Sequence, residues 1–562
     1  MSAGRQTAPF GFLVAFDGGR LCLRQQGLQQ QLHSTPDGEV CFLSPLAMPR
    51  LDAVAGAILA EGCSALGRLP GNVLCFALRP GRHGPECIVA RDVVGALPLY
   101  VVPSANGPTA LSSLARLRPD CPAYVPRVNQ DALPEYLLFR HVNGPATLFD
   151  GVLAPLPGHA IVWRDGEAAH RRYYALQASF RQGGAGPFLS GLAPRLYDSL
   201  DRESAGQRAG VMFSGGLDSS WLAHARPERD LALYTVSFPG RAQADLEAAR
   251  RAASGLGREL HVVHMEREAY AARLPQVVAE LGLPIDHPNY VGRSMLFAHA
   301  AGDGIERLLS GDGADTIFGG SWHVSIRKFL AVKRLLPGFA ARLPLRGDLG
   351  RKLAIALGTG VDELIADDAH YPAAAARELL APDAQDPRAS WRALMATARD
   401  LPPLERAFFM GCMTAPSSDC AAQTAMAWSA GVGIGYPYLA REILELANGV
   451  RADRKLRGFR SKALFRQVAR DVVPREIVER KKCGLPVPLQ DFIAGAGGLL
   501  RYRALFDTDD CACAELLDRR GLDAILARLD QGQATAADLE LYWVLLNLEL
   551  WLRLAIRSER LD

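Results

Sequence analysis

The stretch that decides the fold is residues 210–220, GVMFSGGLDSS. Its apolar beginning predicts a buried strand, and the SSWLAHA run that follows the loop predicts a helix. Between them lie two consecutive glycines, Gly215 and Gly216, which allow the chain to turn tightly from strand to helix. The stretch therefore predicts one strand–loop–helix unit of an α/β sheet.

The chain after this unit repeats the alternation of strand and helix. Strands are predicted at LALYTVSF, ELHVVHM and RLLSG, with helices over 245–256 and 270–281. This alternation predicts a parallel sheet with crossover helices, followed by an almost entirely helical region beyond Phe318. Short β-like runs separated by turns predict a layered α+β domain over 1–176, so the second domain is expected to span 177–562.

The loop has the residue types of a phosphate-binding site. Backbone N–H groups at its glycines can approach phosphate closely, and the helix N-terminus adds the positive end of its dipole. Ser214, Ser219 and Ser220 supply hydroxyl groups, and Asp218 suits a Mg²⁺ ion that bridges phosphates. The alternative is a helix cap in which Ser and Asp only satisfy backbone amides. A Walker A loop is excluded because its Gly-Lys-Ser/Thr end is missing.

A second motif, LSGDGADTIFGG, occupies residues 309–320. It resembles the SGDGADELFGG motif of the asparagine synthetase family, with Thr316 and Ile317 in place of Glu and Leu, and the first loop resembles the pyrophosphate loop of the ATP pyrophosphatases. Shorter elements of that family are matched at residues 90–100, 147–159, 437–439, 455–458, 461–462 and 480–488. The resemblance thus covers nearly the whole chain.

This resemblance implies a fold of two domains. The first would be a glutaminase-like αββα domain, and the second a parallel-sheet domain of the adenine nucleotide α-hydrolase type with a helical C-terminal part. Glutamine-using members carry a nucleophilic Cys at the mature N-terminus, whereas here Ser2 follows Met1 and the RGPD and NGE elements are missing. We expect a first domain that cannot hydrolyse glutamine and acts as a scaffold or docking surface, with Ser2 as a replacement nucleophile the remaining alternative.

A second departure concerns residues 431–437, GVGIGYP, where asparagine synthetases have a Glu-x-Arg pair before Pro-Phe-Leu. We interpret this segment as a neutral, glycine-rich lining that suits a peptide better than free aspartate. The alternative is that other parts of the chain supply the charges.

The resemblance also implies the chemistry, in which a carboxylate attacks ATP to give an acyl-adenylate and an amine then forms the amide. Asp218 and Asp315 are the expected Mg²⁺ ligands, and Lys462 and Lys482 the cations that neutralise phosphate charge. Lys482 is also the candidate for stabilising the tetrahedral oxyanion. Asp312 is the candidate base, or alternatively only the cap of a turn. The residues expected to hold the nucleotide are Phe213, Ser214, Gly215, Gly216, Asp218, Ser219, Val236, Ser310 and Gly311.

Family members without the N-terminal Cys include β-lactam synthetases and lasso peptide cyclases, which both close a ring within one substrate. The leading hypothesis is a lasso peptide cyclase that uses ATP and Mg²⁺ to join the N-terminal amine of a ribosomal precursor (core) peptide to an Asp or Glu side chain. Its expected partners are that peptide, a leader peptidase and a leader-binding protein. The alternatives are an ammonia-dependent asparagine synthetase, a small-molecule amide or β-lactam synthetase, and a non-catalytic scaffold.

The amino-acid composition argues against several functional classes. Of 562 residues, 49% are hydrophobic and 22% charged, and the formal net charge is +3, which argues against disorder and against a general nucleic-acid binder. No targeting segment or membrane-spanning run is recognised, and the eleven cysteines show no zinc spacing. We therefore expect a cytoplasmic protein with reduced thiols and neither nucleic-acid nor membrane partners.

Overall fold

The structure is a computed structural model. It describes residues 10–17, 19–81, 84–104, 107–239, 243–335, 360–366, 376, 378–380, 384–480, 487–495, 497–507 and 509–560. Ser2 and Lys482 lie outside these described residues, so the roles expected of them stay predictions.

The first part of the chain contains two antiparallel sheets and three short helices. Its strands are β1 (Gly11–Asp17), β2 (Arg20–Gln26), β3 (Gln29–Thr35), β4 (Gly38–Ser44), β5 (Leu74–Pro80), β6 (Pro85–Ala90), β7 (Tyr100–Val102), β8 (Thr109–Leu111), β9 (His159–Arg164) and β10 (Glu167–Arg172). The helices are α1 (Asp52–Glu61), α2 (Leu117–Asp120) and α3 (Leu133–Phe139). One sheet has the order β2-β1-β8-β7 and the other β10-β9-β6-β5-β4-β3.

Side chains of the six-stranded sheet alternate between two apolar cores. Phe76 packs with Val14 of the four-stranded sheet, whereas the next residue, Ala77, packs with Ile58 of α1 on the opposite face. This alternation follows from the two-residue period of a strand. The outer face of the four-stranded sheet, at Leu111, joins the core of the second part of the chain. The result is a stack of helix, sheet and sheet against the second part.

The second part contains a five-stranded parallel sheet and many helices. Its strands are β11 (Ala209–Met212), β12 (Ala232–Ser237), β13 (Leu260–His264), β14 (Arg307–Leu309) and β15 (Gly433–Gly435). Its helices up to residue 366 are α4 (Gly186–Ser204), α5 (Leu217–His224), α6 (Gln243–Gly255), α7 (Arg267–Leu281), α8 (Asn289–Gly302), α9 (Ala314–Phe318), α10 (Ser321–Leu335) and α11 (Val361–Ala366). The later helices are α12 (Ala389–Ala396), α13 (Pro403–Ala415), α14 (Ala421–Ser429), α15 (Arg441–Asn448), α16 (Ala452–Lys455), α17 (Ala463–Ala469), α18 (Arg475–Glu479), α19 (Leu489–Ala494), α20 (Arg519–Asp530) and α21 (Ala536–Trp551).

The parallel sheet has the order β13-β12-β11-β14-β15. Strand β11 lies in its middle, with Val211 opposite Leu233 on one side and Leu309 on the other. The strand order reverses at β11, and in open α/β sheets the crevice outside the carboxyl ends of such strands is where ligands bind. The expected fold class, an α+β first part followed by a parallel-sheet second part, is confirmed.

Strand β15 differs from the expectation of an almost entirely helical region beyond Phe318. It has three residues and pairs with β14, with Ile434 opposite Leu308. Three residues are too few to show the alternation by which a strand is recognised in a sequence. The segment read as a pocket lining is thus the edge strand of the sheet.

Helix α21 forms the centre of the helical region. Every residue from Leu541 to Trp551 is buried, as expected of a helix that lies inside the core and is covered on all sides. Its polar members have partners, because Asn547 donates to the Trp543 carbonyl and Glu549 accepts from the Cys513 N–H. Among the described residues, no helix combines the length and apolar character that a bilayer crossing requires.

Candidate functional site

A cavity of about 430 Å³ lies at the carboxyl end of β11. Its lining residues come from five places: the 213–219 loop, the end of β12, the 310–316 motif, helix α8 and the segment 415–420. Its volume falls in the range of small-molecule sites. The two sequence motifs thus meet at the position where the sheet topology places a ligand. We call it the main cavity.

The first loop is shaped by a close approach to α6. Gly215 has a φ of +65°, and a Cβ atom there would lie 2.7 Å from the Ala249 Cα atom. Ser219 Oγ accepts from the Ser214 N–H at 3.2 Å, which ties the two ends of the loop together. Within the described residues, the N-cap of α5, Gly216, receives no side-chain capping hydrogen bond. Ser214 Oγ accepts from the Gly216 N–H at 3.3 Å, so serine hydroxyls satisfy backbone amides within the loop, as the helix-cap alternative expects, although no side chain caps α5 itself.

The second motif packs directly against the first loop. A Cβ atom on Gly311 would lie 3.1 Å from the Asp218 Cβ atom, so the two backbones could not approach as closely with a larger residue. Gly313 has a φ of +89° and forms the N-cap of the short helix α9, which carries Asp315. These glycines bring Asp218 and Asp315 to one side of the main cavity.

Lys462 joins the two aspartates. Its Nζ atom lies 2.6 Å from Asp218 Oδ2 and 2.7 Å from Asp315 Oδ1. Burial alone would lower the pKa of Lys462, but the two carboxylates outweigh it and raise the pKa. The Lys462 backbone adopts a left-handed conformation, with φ of +54°. Two carboxylates converging on one cation form an oxygen donor set that fits Mg²⁺, so the predicted metal ligands lie where such an ion could bind.

The other end of the cavity contains a half-buried cluster of charged side chains. Arg293 of α8 donates to Asp312 Oδ2 at 3.0 Å, and Ser310 Oγ donates to the same oxygen at 2.8 Å. Asp419 lies on a π-helical turn, residues 416–420, between α13 and α14. Its Oδ1 atom accepts from the Tyr290 hydroxyl at 2.7 Å. π-Helical turns within helices often occur at functional sites.

The pKa values of Asp419 and Asp312 are shifted in opposite directions. Burial and the neighbouring charge of Asp312 raise the pKa of Asp419 to about 6. Burial would also raise the pKa of Asp312, but the Arg293 guanidinium and the Ser310 hydroxyl bring it below its usual value. A base works best when its pKa is near the operating pH. Asp419 therefore suits that role better than Asp312, the residue that the sequence analysis favoured.

The remaining expected site residues are placed as follows. The Phe213 N–H donates to the Tyr234 carbonyl at 2.7 Å inside the sheet, so this group is not available to adenine. Ser310 and Gly311 line the main cavity, as does Val236. Arg480 donates to the Gly215 carbonyl at 3.3 Å and to Asp245 at 2.8 Å, so it lies against the first loop.

Sequence reasoning missed Arg293, Asp419 and Tyr290. None of them belongs to a motif, and they come together because α8 packs beside the 416–420 turn. The one available signal was Asp419 itself, an acid in the otherwise uncharged run MTAPSSDCAAQTAMAW.

The segment 431–437 does not form a neutral lining. Among the described residues that line the main cavity, none comes from this segment. A Cβ atom on Gly435 would lie 2.5 Å from Glu203 Oε2, and one on Gly433 would lie 3.1 Å from an Arg307 guanidinium nitrogen. Glu203 and Arg307 are buried and pair at 3.2 Å. An ion pair from α4 and β14 therefore lies beside the two glycines, and the interpretation of a neutral pocket is wrong.

Replacing Gly435 with alanine tests this packing. We expect Gly435→Ala to lower the free energy of unfolding by about 1–3 kcal/mol, because the new methyl group must displace the buried Glu203 carboxylate from Arg307. Gly56→Ala is the matched control: Gly56 lies inside α1 with no atom within 4 Å of a new Cβ, so it should stabilise by up to about 1 kcal/mol. Urea unfolding of both variants measures the difference, and equal stability of Gly435→Ala and the wild type would contradict the assignment.

Comparison with known proteins gives matches over most of the chain. A family model described as asparagine synthase matches residues 191–553, and one described as a glutamine amidotransferase domain matches residues 54–174. The chain is similar to asparagine synthetase (glutamine-hydrolyzing) 1 of Bacillus subtilis, with 24% identity over 382 residues, which are 65% of this chain and 60% of that protein. It is also similar to a putative glutamine-hydrolyzing asparagine synthetase of Mycobacterium tuberculosis, with 25% identity over 521 residues, 87% of this chain and 77% of that one. The chain thus spans less than two thirds of the Bacillus subtilis protein.

Proposed function

The chain belongs to the asparagine synthase family, and on that premise we propose that it forms an amide bond at the expense of ATP. A substrate carboxylate oxygen attacks the α-phosphorus, the bond from that phosphorus to the bridging oxygen breaks, and pyrophosphate leaves. An amine then attacks the acyl carbon of the adenylate, AMP leaves with the bonding electron pair, and the amine loses a proton. The observation that carries this proposal is the convergence of Asp218 and Asp315 on Lys462 beside the glycine loop.

In the first step the 213–219 loop and Lys462 bind the phosphates of ATP. The N-terminus of α5 offers backbone N–H groups to phosphate oxygens, and Ser214 and Ser219 offer hydroxyl groups. Lys462 neutralises charge on the departing pyrophosphate, while Asp218 and Asp315 hold Mg²⁺, which when bound offsets the negative charge of the phosphates.

In the second step a base must accept the proton of the attacking amine. Asp419 takes this role, since its carboxyl lies in the main cavity and has a pKa raised to about 6. The Tyr290 hydroxyl holds the carboxyl in place through its 2.7 Å hydrogen bond. Arg293 compensates the charge of Asp312 and orients it.

The charge of the cavity favours one class of substrate. Its described lining contains four acids, Asp218, Asp312, Asp315 and Asp419, and one cation, Arg293. Arg293 is paired with Asp312 at 3.0 Å, so its charge is already compensated. Lys462 likewise compensates Asp218 and Asp315. Among the described lining residues the remaining acid is Asp419, and the second carboxylate of free aspartate would lie near it, which costs electrostatic energy. A substrate with one reacting carboxyl and one amine suits the lining better.

A peptide meets this description. The finer proposal is a lasso peptide cyclase, which joins the N-terminal amine of a ribosomal core peptide to an Asp or Glu side chain in the cytoplasm, after a leader peptidase and a leader-binding protein have exposed that amine. The missing RGPD and NGE elements of the glutamine-using members support it from the sequence, because an intramolecular amine makes ammonia from glutamine unnecessary. Thr316, which replaces the family's Glu and lines the main cavity, also supports it. The alternative is an ammonia-dependent asparagine synthetase or a small-molecule amide or β-lactam synthetase.

The test uses the full chain with ATP, Mg²⁺ and three alternative substrates: leaderless forms of any short peptides encoded by neighbouring genes, aspartate with ammonium, and a small amino diacid. We expect the peptide to lose one water and to yield AMP and pyrophosphate in equal amounts. Asp218→Ala is the control for ATP-dependent chemistry. Product from only the second or third substrate would overturn the peptide assignment, and no pyrophosphate with any of them would overturn the adenylation proposal itself.

A further inference from the structure

Three side chains of the second part converge away from the main cavity's reacting groups. They are His261 on strand β13, His299 in the last turn of α8, and Asp303 immediately after that helix. One nitrogen from each histidine and one carboxylate oxygen all lie within 4.8 Å of one another. We call these residues the histidine cluster. Neither the proposed function nor the sequence motifs use it.

The distances within the cluster are those of metal ligands more than of hydrogen bonds. Asp303 Oδ2 lies 3.8 Å from His261 Nδ1 and 3.6 Å from His299 Nε2. Both distances exceed the normal range for an N–H···O hydrogen bond. Ligand atoms of a tetrahedral zinc ion with bonds of about 2.0–2.2 Å lie about 3.4 Å apart. The two distances from Asp303 are therefore close to those between ligands of one ion, and the two histidine nitrogens lie within 4.8 Å of each other.

The surroundings also match those of a metal ligand set. The Tyr234 hydroxyl donates to Asp303 Oδ2 at 2.9 Å, and the Tyr234 ring stacks on His261 with centroids 4.7 Å apart. Such outer contacts fix the orientation of metal ligands. One opposing feature is Arg208, whose guanidinium donates to the Asp303 backbone carbonyl at 2.6 Å and brings a positive charge near the site.

We propose that the histidine cluster is a binding site for a divalent transition metal, with Zn²⁺ as the ion of choice. Two imidazoles and one carboxylate are a common zinc donor set, and the partial exposure of His299 and Asp303 leaves the fourth position to water. A bound ion ties the edge strand β13 to the C-terminal end of α8. The same helix carries Asn289 and Arg293 into the main cavity, so the ion fixes one end of a helix that forms the site.

Metal titration of the full chain, after treatment with a chelator, tests this site. Because the titration needs no ATP, a negative result would count against the metal site and not against the amide-forming proposal. Calorimetry with Zn²⁺, in excess Mg²⁺ to occupy oxygen-rich sites, should show one ion bound per chain at the cluster, and Co²⁺ should give a tetrahedral absorption spectrum. His261→Gln and His299→Gln should each weaken this binding by at least about 100-fold, and Tyr234→Phe by about 10- to 100-fold.

His264→Gln is the matched control, because His264 is exposed on the same strand and lies outside the cluster. It should bind Zn²⁺ as the wild type does. Circular dichroism checks that each variant is folded, and Asp303→Asn gives an independent loss of a ligand. Absence of saturable Zn²⁺ binding in the wild type, or binding that neither histidine variant changes, would show that the cluster is only a set of ion pairs and would overturn the proposal.

Discussion

Pyrophosphate release by the Lys462→Ala variant is expected to fall by about 100- to 1,000-fold, the usual effect of removing one group that stabilises charge in the transition state. The structural reason is the position of the Lys462 ammonium, within 2.7 Å of carboxylate oxygens of both Asp218 and Asp315. The same substitution removes the cation that compensates these two acids. Melting temperature should therefore fall in the absence of metal and recover when Mg²⁺ is added.

Lys455→Ala supplies the matched control. Lys455 is equally buried, but it donates to the Ile317 carbonyl at 3.1 Å and lies over the Phe408 ring instead of joining the two aspartates. Its loss should lower the melting temperature without recovery on adding Mg²⁺. Thermal unfolding of both variants, with and without Mg²⁺, separates the two cases. If Mg²⁺ stabilises Lys462→Ala no more than it stabilises Lys455→Ala, the carboxylates do not form a metal site.

The parts of this protein that could be predicted from sequence are those encoded locally. Strand β11, which precedes the 213–219 loop, and strand β12, which follows helix α5, are mostly apolar. The loop itself has its glycines at the positions where the backbone turns and approaches α6. Gly215 illustrates why this works, since its left-handed φ and its contact with Ala249 both require a residue without a side chain. A sequence pattern is enough to predict such a position.

The end of the main cavity that contains Arg293, Asp312 and Asp419 could not be predicted in the same way. Arg293 and Asp419 are 126 residues apart by their numbers, and each looks like an ordinary helix residue in its own segment. Only the packing of α8 beside the 416–420 turn brings the two side chains together, and their surroundings there determine the raised pKa of Asp419. The prediction of a neutral lining at Gly433 and Gly435 was wrong for a related reason. The ion pair beside these glycines is formed by Glu203 and Arg307, which are far away in sequence.

The second large effect is expected for Asp419→Asn, which should lower the rate of amide formation by about 100- to 10,000-fold because the proton acceptor is lost. Adenylation does not need this base, so exchange of labelled pyrophosphate into ATP should continue. In the wild type, amide formation should fall as pH drops below about 6, where the Asp419 carboxyl becomes protonated. Retained amide formation in Asp419→Asn would remove the residue from the mechanism.

Two further variants fix the sign of that pH dependence. The charge of Asp312 raises the pKa of Asp419, so Asp312→Asn should move the acid limb of the rate profile to lower pH. The hydrogen bond from Tyr290 lowers the same pKa, so Tyr290→Phe should move the limb to higher pH. Opposite shifts require that the titrating group lie between these two residues, which is where Asp419 lies. Shifts in the same direction, or no shift, would mean that another group controls the pH profile. A purely structural loss of activity would lower the rate in both variants without moving the acid limb in opposite directions.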